Sequence, residues 1–282
     1  MRKIVIAAMA AVSLVSLAAC NKYGGGNGNT AENAAAPAAV GADAINGTWK
    51  ADLSTVQMSG KPDQLLLKDG KFDCPTCTPP IMLAADGAFH PVTGRAYADS
   101  MSIKVDDDHD VTRTDKKGGK VTFEGKYGVS GDGNTLTLDF TDSSTPNAPP
   151  TKGQFVETRS APAPAGAHAI SGTWTPKNYA NINDEALTTT YRLEGDTLHM
   201  SSPSGQSYDA KLDGTATPIK GDIAGTTVSV KKVGDNSYEE TDTRDGKVVS
   251  VATFMVGADG KLNVTFVDKR NDSTMKYMAD KQ

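Results

Sequence analysis

The sequence has few of the residues and motifs that identify an enzyme. It contains three cysteines and four histidines among 282 residues, and no Gly-x-Ser-x-Gly, His-Glu-x-x-His or phosphate-binding motif occurs. A structural zinc site needs a second ligand pair, and the single Cys-x-x-Cys has no such companion in the sequence. A net charge of −5 argues against nucleic-acid binding. We therefore expect a protein that is not an enzyme and that needs neither a cofactor nor a metal.

The first twenty residues have the order of an export signal. Arg2 and Lys3 precede an apolar run at positions 4–17, and small residues then lead to Cys20. The run is shorter than the roughly 20 apolar residues of a transmembrane helix, which is the alternative interpretation. This order resembles the signal peptide of bacterial lipoproteins, in which residues 1–19 are removed. The resemblance implies that Cys20 becomes the first mature residue and carries the lipid, such as palmitate.

Attachment to the membrane would then depend on the acyl chains. Without residues 1–19 the net charge becomes −7, which gives no attraction to anionic lipids. Asn21 follows the cysteine instead of the aspartate that marks inner-membrane retention. We therefore expect an exported protein of the cell envelope, with the outer membrane favoured and either its periplasmic or its surface face. Residues 20–42 comprise the lipidated cysteine and a segment that consists mainly of Gly, Asn, Ala and Pro. This composition predicts a flexible linker.

Beyond this linker the chain repeats itself. Three blocks recur in the same order, 125 or 127 residues further on: Ala44–Trp49 with Ala169–Trp174, Asp86–Gly94 with Asp213–Gly221, and Thr114–Lys120 with Thr241–Lys247. Recurrence at a nearly constant spacing indicates a tandem duplication. We therefore predict repeat 1 at residues 43–160, an Ala/Pro linker at 161–167 and repeat 2 at 168–282.

Each repeat has the alternating pattern of β strands. Segments such as Thr135–Phe140 and Leu262–Phe266 alternate apolar and polar residues, which predicts strands with one buried face. Asp-Gly pairs between such runs predict hairpins. We predict an all-β fold of two tandem antiparallel barrels or sandwiches with about eight strands each, and a single sheet shared by both repeats is the alternative. The predicted inward positions are Met101, Ile103, Leu136, Leu138, Phe140, Val228, Val230, Val264 and Phe266.

The beginning of the first strand in each repeat resembles that of lipocalin-type barrels. Gly47-Thr48-Trp49 and Gly172-Thr173-Trp174 match the Gly-x-Trp of those barrels. The loop Asp86–Gly94 resembles a widespread family of uncharacterised bacterial secreted repeats. The lipocalin resemblance implies that Trp49 and Trp174 have a structural role, closing one end of each barrel without binding ligand.

The pair Cys74 and Cys77 has three interpretations: a local disulfide, a redox pair or half of a metal site. Export to an oxidising compartment makes the disulfide the default expectation. A redox pair normally begins a helix, whereas Thr78-Pro79-Pro80 follows here and disfavours one. At a spacing of 127 residues, Ser201 and Ser204 stand in repeat 2. Because that repeat lacks the thiols, the pair is not needed for the repeat to fold.

The acidic run Asp106–Asp110 concentrates oxygen ligands around His109. It lacks the alternating acids and the glycine of a calcium loop. Its counterpart in repeat 2, Val233–Ser237, is an ordinary turn sequence. We therefore interpret the run as a solvated turn, with weak cation binding as the alternative.

Three functional hypotheses remain open. The first is a membrane-anchored, non-catalytic lipoprotein whose barrels bind a small apolar or amphipathic ligand, because eight-stranded barrels are just wide enough to hold one. The second is a structural or protein-interaction module of the envelope, with filled barrels and function on its loops. The third is a thiol–disulfide protein that uses Cys74 and Cys77.

Overall fold

The computed structural model describes residue 41 and residues 44–282, so the predicted signal peptide and Cys20 lie outside the described part. The strands are β1 (Gly47–Ser59), β2 (Asp63–Lys68), β3 (Lys71–Cys74), β4 (Ile81–Ala84), β5 (His90–Pro91), β6 (Ser100–Val105), β7 (Asp110–Lys117), β8 (Lys120–Val129), β9 (Thr135–Asp142), β10 (Thr151–Ala161), β11 (Gly172–Ala180), β12 (Thr188–Glu194), β13 (Thr197–Ser201), β14 (Ser207–Lys211), β15 (Thr217–Pro218), β16 (Thr227–Gly234), β17 (Ser237–Arg244), β18 (Lys247–Val256), β19 (Leu262–Asp268) and β20 (Ser273–Lys281). One short helix, α1 (Asp184–Leu187), precedes β12. Within the described residues, no helix has the length and apolarity needed to span a membrane.

The strands form two antiparallel, nearly closed barrel-like sheets of ten strands each. Barrel 1 has the strand order β4-β3-β2-β11-β10-β9-β8-β7-β6-β5, and barrel 2 has the order β14-β13-β12-β1-β20-β19-β18-β17-β16-β15. The predicted all-β class and the two antiparallel barrels are thereby confirmed, with ten strands rather than eight in each. The alternative of one sheet shared by both repeats is wrong. Burial alternates along most strands, because successive side chains point to opposite faces of a sheet.

The two repeats exchange their first strands. Strand β1 pairs with β12 and β20 of repeat 2, whereas β11 pairs with β2 and β10 of repeat 1. Each barrel is therefore built from strands of both segments, 43–160 and 168–282. Asn46 and Ser171, which precede the first glycines of β1 and β11, each bond to a residue of the other repeat. The Asn46 side chain accepts a bond from the Leu193 amide at 2.6 Å, and Ser171 Oγ accepts one from the Leu67 amide at 2.8 Å.

The two Gly-Thr-Trp sequences place equivalent tryptophans in the two cores. Trp49 is buried in barrel 2 and Trp174 in barrel 1, and their indole N–H groups bond to the carbonyls of Ile45 and Ile170 at 2.9 and 2.8 Å. Arg159 stacks 4.0 Å above the Trp174 ring. Glycine is required at position 172 for two reasons. A Cβ there would lie 2.5 Å from the Arg159 guanidinium, and the φ angle of Gly172 is +136°.

The predicted inward positions lie in the two cores. Seven are buried, and Leu138 and Phe266 are half-buried. The buried seven are Met101, Ile103, Leu136, Phe140, Val228, Val230 and Val264. The alternating sequence pattern therefore places the buried face correctly in both repeats.

Candidate functional site

Barrel 1 contains a cavity of about 150 Å³. Its walls are side chains of β2 and of β7 to β11, and its mouth is formed by the loops after β3 and β9. The loops after β13 and β19 of barrel 2 face the same mouth, through Gln206 and Arg270 among others. The two barrels therefore meet at equivalent ends, and the site is completed by barrel 2.

An aromatic wall lines one side of this cavity. It is formed by Phe123 on β8, Phe140 on β9, Phe155 on β10 and Tyr179 on β11. The rings of Phe123 and Phe140 are nearly parallel, with centroids 6.5 Å apart, and those of Phe155 and Tyr179 are tilted, with centroids 4.9 Å apart. The four strands are consecutive in the sheet, so the two ring pairs lie on neighbouring strands. The wall offers an apolar surface for a flat or aliphatic group.

A buried ion pair adjoins the aromatic wall. Arg113 donates from Nε and Nη2 to the two carboxylate oxygens of Asp115, each at 2.8 Å, and neither side chain is exposed by more than 2%. Burial lowers the pKa of Arg113, but the neighbouring carboxylate of Asp115 outweighs this and raises the pKa overall. Burial also raises the pKa of Tyr127 on β8, so its hydroxyl remains protonated. The geometry is bidentate, which is the strongest arrangement for such a pair.

The cysteine pair lies at the mouth of this cavity. The sulfur atoms of Cys74 and Cys77 are bonded, with Cα atoms 5.4 Å apart, and both residues line the cavity. Within the loop, Thr76 Oγ1 accepts a bond from the Gln64 amide at 2.8 Å, which ties the loop to β2. The next element is strand β4, so the pair lacks the helix that lowers a thiol pKa in redox motifs.

Strand register corrects one sequence equivalence at this loop. Cys74 pairs with Ile81, and the corresponding pair in barrel 2 is Met200 with Tyr208. Met200, and not Ser201, is therefore the counterpart of Cys74. At Cys74 the equivalent residue of the other repeat is 126 positions further on, whereas the sequence comparison used a spacing of 127.

Barrel 2 contributes a second bidentate pair to the mouth. Arg270 donates from Nε and Nη2 to Asp268 at 2.8 and 2.6 Å, and its amide bonds to the same carboxylate at 2.9 Å. In barrel 1 the equivalent turn has Asp142, which accepts bonds from the amide and hydroxyl of Ser144. The two turns share one geometry and differ in the side chain that faces the cavity.

The two barrels differ in the size of several buried side chains. Tyr191, Phe254 and Tyr238 form a stack with centroid distances of 5.0 and 5.3 Å. By strand register the tyrosines at 191, 208 and 238 correspond to Leu65, Ile81 and Val111 of barrel 1. A cavity lined by Glu240, Asp242 and neighbouring residues has a volume of about 40 Å³. Of the three aliphatic residues, Leu65 lines the cavity of barrel 1, so barrel 2 has the larger ring of Tyr191 at a position where barrel 1 has a smaller side chain.

The buried charges of the two barrels also differ. Glu240 and Asp242 of barrel 2 stand where barrel 1 has Arg113 and Asp115. Glu240 accepts a bond from the Tyr208 hydroxyl at 2.6 Å, and Asp242 accepts one from Ser250 at 2.7 Å. Burial raises the pKa of both carboxyl groups, and the charge of Asp242 raises that of Glu240 further. The two carboxyl groups of barrel 2 therefore stay protonated up to a higher pH than carboxyl groups in water do.

The other predicted candidates lie away from the cavity. In the run Asp106–Asp110, Asp106 bonds to Lys104 and Thr112, and Asp107 accepts bonds from two backbone amides of the same turn. Among residues 44–282 no group of three or more His, Cys, Asp or Glu side chains could hold a metal ion. The acidic run forms the turn between β6 and β7, and the Asp107 carboxylate accepts bonds from amides of that turn.

Sequence reasoning missed the charged residues of the cavity. The available signal was that Arg113 and Asp115 alternate with threonines directly after Val111, which makes them inward positions of a strand. Glu157 on β10 likewise occupies an inward position and is buried. A charged residue at an inward position indicates a polar site within a barrel.

Comparisons with known proteins do not assign the chain to a family. No protein-family model matches the chain, and no curated protein matches it. Among solved structures, the chain is similar to a double mutant of the vaccine antigen transferrin-binding protein B from Haemophilus parasuis Hp5, at 9% identity and a TM-score of 0.22. The match covers 81% of this chain and 45% of that one, so the chain spans less than half of that protein.

Proposed function

We propose that the chain is a non-catalytic binding protein of the cell envelope that holds a small amphipathic ligand in barrel 1. The observation that carries the proposal is the cavity of about 150 Å³ with an aromatic wall and buried polar groups. A cavity of about this volume in an engineered protein holds benzene. The ligand portion inside the barrel is therefore about the size of one six-membered ring, with its polar part near the charged side chains.

The difference between the barrels supports this proposal over an accidental packing defect. The two repeats share their strand order and register, yet only barrel 1 has aliphatic residues at the three tyrosine positions. In barrel 2 the aromatic stack fills the interior, which favours a structural role for that half. The hypothesis of filled barrels thus fits barrel 2, and the ligand hypothesis fits barrel 1.

Anchoring of this binding protein to the membrane is also part of the proposal. The order of residues 1–20 supports removal of residues 1–19 and lipidation of Cys20. The segment 21–42 would then serve as a flexible tether between the outer membrane and the barrels. Metabolic labelling with a palmitate analogue tests this step, since the Cys20→Ala variant should lose both the label and the membrane association.

Native mass spectrometry tests the ligand hypothesis. Residues 21–282, purified from an oxidising compartment, should show a non-covalent adduct that disappears on denaturation. Leu65 lines the cavity, and its counterpart Tyr191 lies in the aromatic stack of barrel 2. The Leu65→Tyr variant should therefore fill the cavity and lose the adduct, whereas Leu65→Met, which conserves volume, should keep it. A bare mass for the wild type after incubation with envelope lipid extracts would contradict the proposal and favour filled barrels.

A further inference from the structure

The charged side chains of the cavity indicate the chemical class of its ligand. Among residues 44–282, the charged residues lining it are Asp63, Arg113, Asp142, Glu157, Asp268 and Arg270. The set has two positive and four negative formal charges. Two further charged groups lie close to Arg113: Asp115 adds a negative charge and Arg95 a positive one. An occupant of this cavity therefore meets an excess of carboxylates.

Both arginines already serve as partners of carboxylates. Arg113 directs Nε and Nη2 to Asp115, and Arg270 directs the same pair of nitrogens to Asp268. The parallel N–H groups of a guanidinium are the ones that grip a carboxylate or phosphate in bidentate fashion. Each guanidinium charge is therefore already balanced by a carboxylate of the protein, so either arginine attracts an anionic ligand less strongly than an unpaired arginine would.

The carboxylates flank the aromatic wall. Phe155 and Glu157 lie two residues apart on β10, and Phe140 and Asp142 lie two residues apart on β9, so each pair shares a face of the sheet. Register places Glu157 opposite Leu136, toward the deep end, and Asp142 opposite Thr151, next to the mouth loop. A carboxylate therefore stands at each end of the wall.

We propose that the ligand of barrel 1 is a small organic cation, an ammonium carried on a flat or compact apolar group. This inference rests on the proposed function. The apolar group packs against the aromatic wall, and the ammonium lies toward Glu157. Ring faces attract cations, as the Arg113 guanidinium 5.5 Å from the Phe123 ring already illustrates. The attraction to the excess carboxylates is strong because the site is partly removed from water.

Three probes of the same shape test the proposal on the protein of residues 21–282. Benzylammonium, benzyl alcohol and benzoate are titrated by calorimetry at neutral pH. We expect benzylammonium to bind at least tenfold more tightly than benzyl alcohol, and benzoate to bind most weakly. If the alcohol or benzoate binds as tightly as the ammonium, the cation proposal is wrong while the proposed function stands. If none of the three binds at millimolar concentration, both are contradicted.

A matched pair of variants locates the effect. Glu157→Gln should reduce the preference for benzylammonium over benzyl alcohol to less than threefold, while binding of the alcohol is retained. Retained binding of the alcohol also shows that the variant is folded. Glu124→Gln removes the same charge from an exposed position on β8 and should leave the preference unchanged. An equal loss of preference in both variants would show that overall charge, and not the cavity carboxylate, is responsible, and would overturn the proposal.

Discussion

At the scale of single residues, the two barrels differ in what they bury. Arg113 and Asp115 neutralise each other in barrel 1, whereas the equivalent Glu240 and Asp242 have the same sign. Two buried carboxyl groups resist ionisation, because each charge is poorly solvated and repels the other. Barrel 2 should therefore be most stable when this pair is protonated.

The first prediction concerns the pH dependence of stability. Burial in the folded protein raises the pKa of Glu240 to about 8. Between the ordinary pKa of a carboxyl group and pH 8, the folded protein therefore binds more protons than the unfolded chain. By linkage, this contribution to stability is complete below about pH 4 and is lost as the pH rises through 8. Urea unfolding between pH 5 and pH 8.5 should show the free energy of unfolding falling by on the order of 2 kcal/mol or more.

Two variants separate this pair from the other titrating groups. Glu240→Gln should flatten the dependence over that range. Glu239→Gln, the neighbouring half-exposed position on the same strand, should leave it as in the wild type. A wild-type protein whose stability rises steadily from pH 5 to pH 8.5 would show that the pair is not protonated in the fold.

The second prediction concerns the disulfide. The ring closed by Cys74 and Cys77 is small, and the chain-entropy account gives about 2 kcal/mol for a ring of this size. The Cys74→Ser/Cys77→Ser double variant should therefore lose about 2 kcal/mol in urea unfolding and remain folded. Reduced wild-type protein should show the same loss. Complete unfolding of the double variant would mean that the loop is a principal support of barrel 1.

At the scale of elements, the exchange of β1 and β11 is the main feature that the sequence could not predict. Both strands begin with Gly-Thr-Trp, and their neighbours β2 and β12 are also equivalent. Each first strand therefore satisfies the hydrogen bonds of either barrel. The alternating pattern determines which face of a strand is buried. It does not determine whether a first strand pairs within its own repeat or with the other repeat. The strands, turns and inward residues were predictable because they depend on local pattern.

The third prediction tests this exchange by cross-linking. Thr48 on β1 stands opposite Thr190 on β12, and their hydroxyl oxygens are 2.9 Å apart. Residues directly opposite in antiparallel strands have Cα separations suited to a disulfide. Thr48→Cys/Thr190→Cys should therefore form a cross-link within one chain, detected by mass mapping of proteolytic peptides.

The matched control uses the partner that an unexchanged strand would have. Thr173 of β11 stands opposite Gln64, so an unexchanged β1 would place Thr48 there. Thr48→Cys/Gln64→Cys should give no intramolecular cross-link under the same oxidation. Efficient cross-linking in this control, with none in the first pair, would show that each repeat keeps its own first strand.

At the scale of the whole molecule, the barrels meet at equivalent ends and share contacts there. Tyr97 of repeat 1 donates to Asp222 at 2.6 Å and accepts a bond from Arg244 at 2.8 Å, both in repeat 2. The cavity lies at the same junction, which is why residues of both barrels line it. Sequence patterns could place inward side chains in each barrel. The completed site depends on how the two barrels pack, which no local pattern determines.

The central claim is that barrel 1, and not barrel 2, accepts a small ligand. The most direct test is an amide NMR titration of residues 21–282 with benzylammonium and, in parallel, benzyl alcohol. The account predicts saturable shifts for β8 to β11 along the aromatic wall and for the loop Asp268–Asn271, with the stack of barrel 2 unaffected. Shifts confined to barrel 2 or to exposed surfaces, or no saturable shifts with either probe, would contradict it.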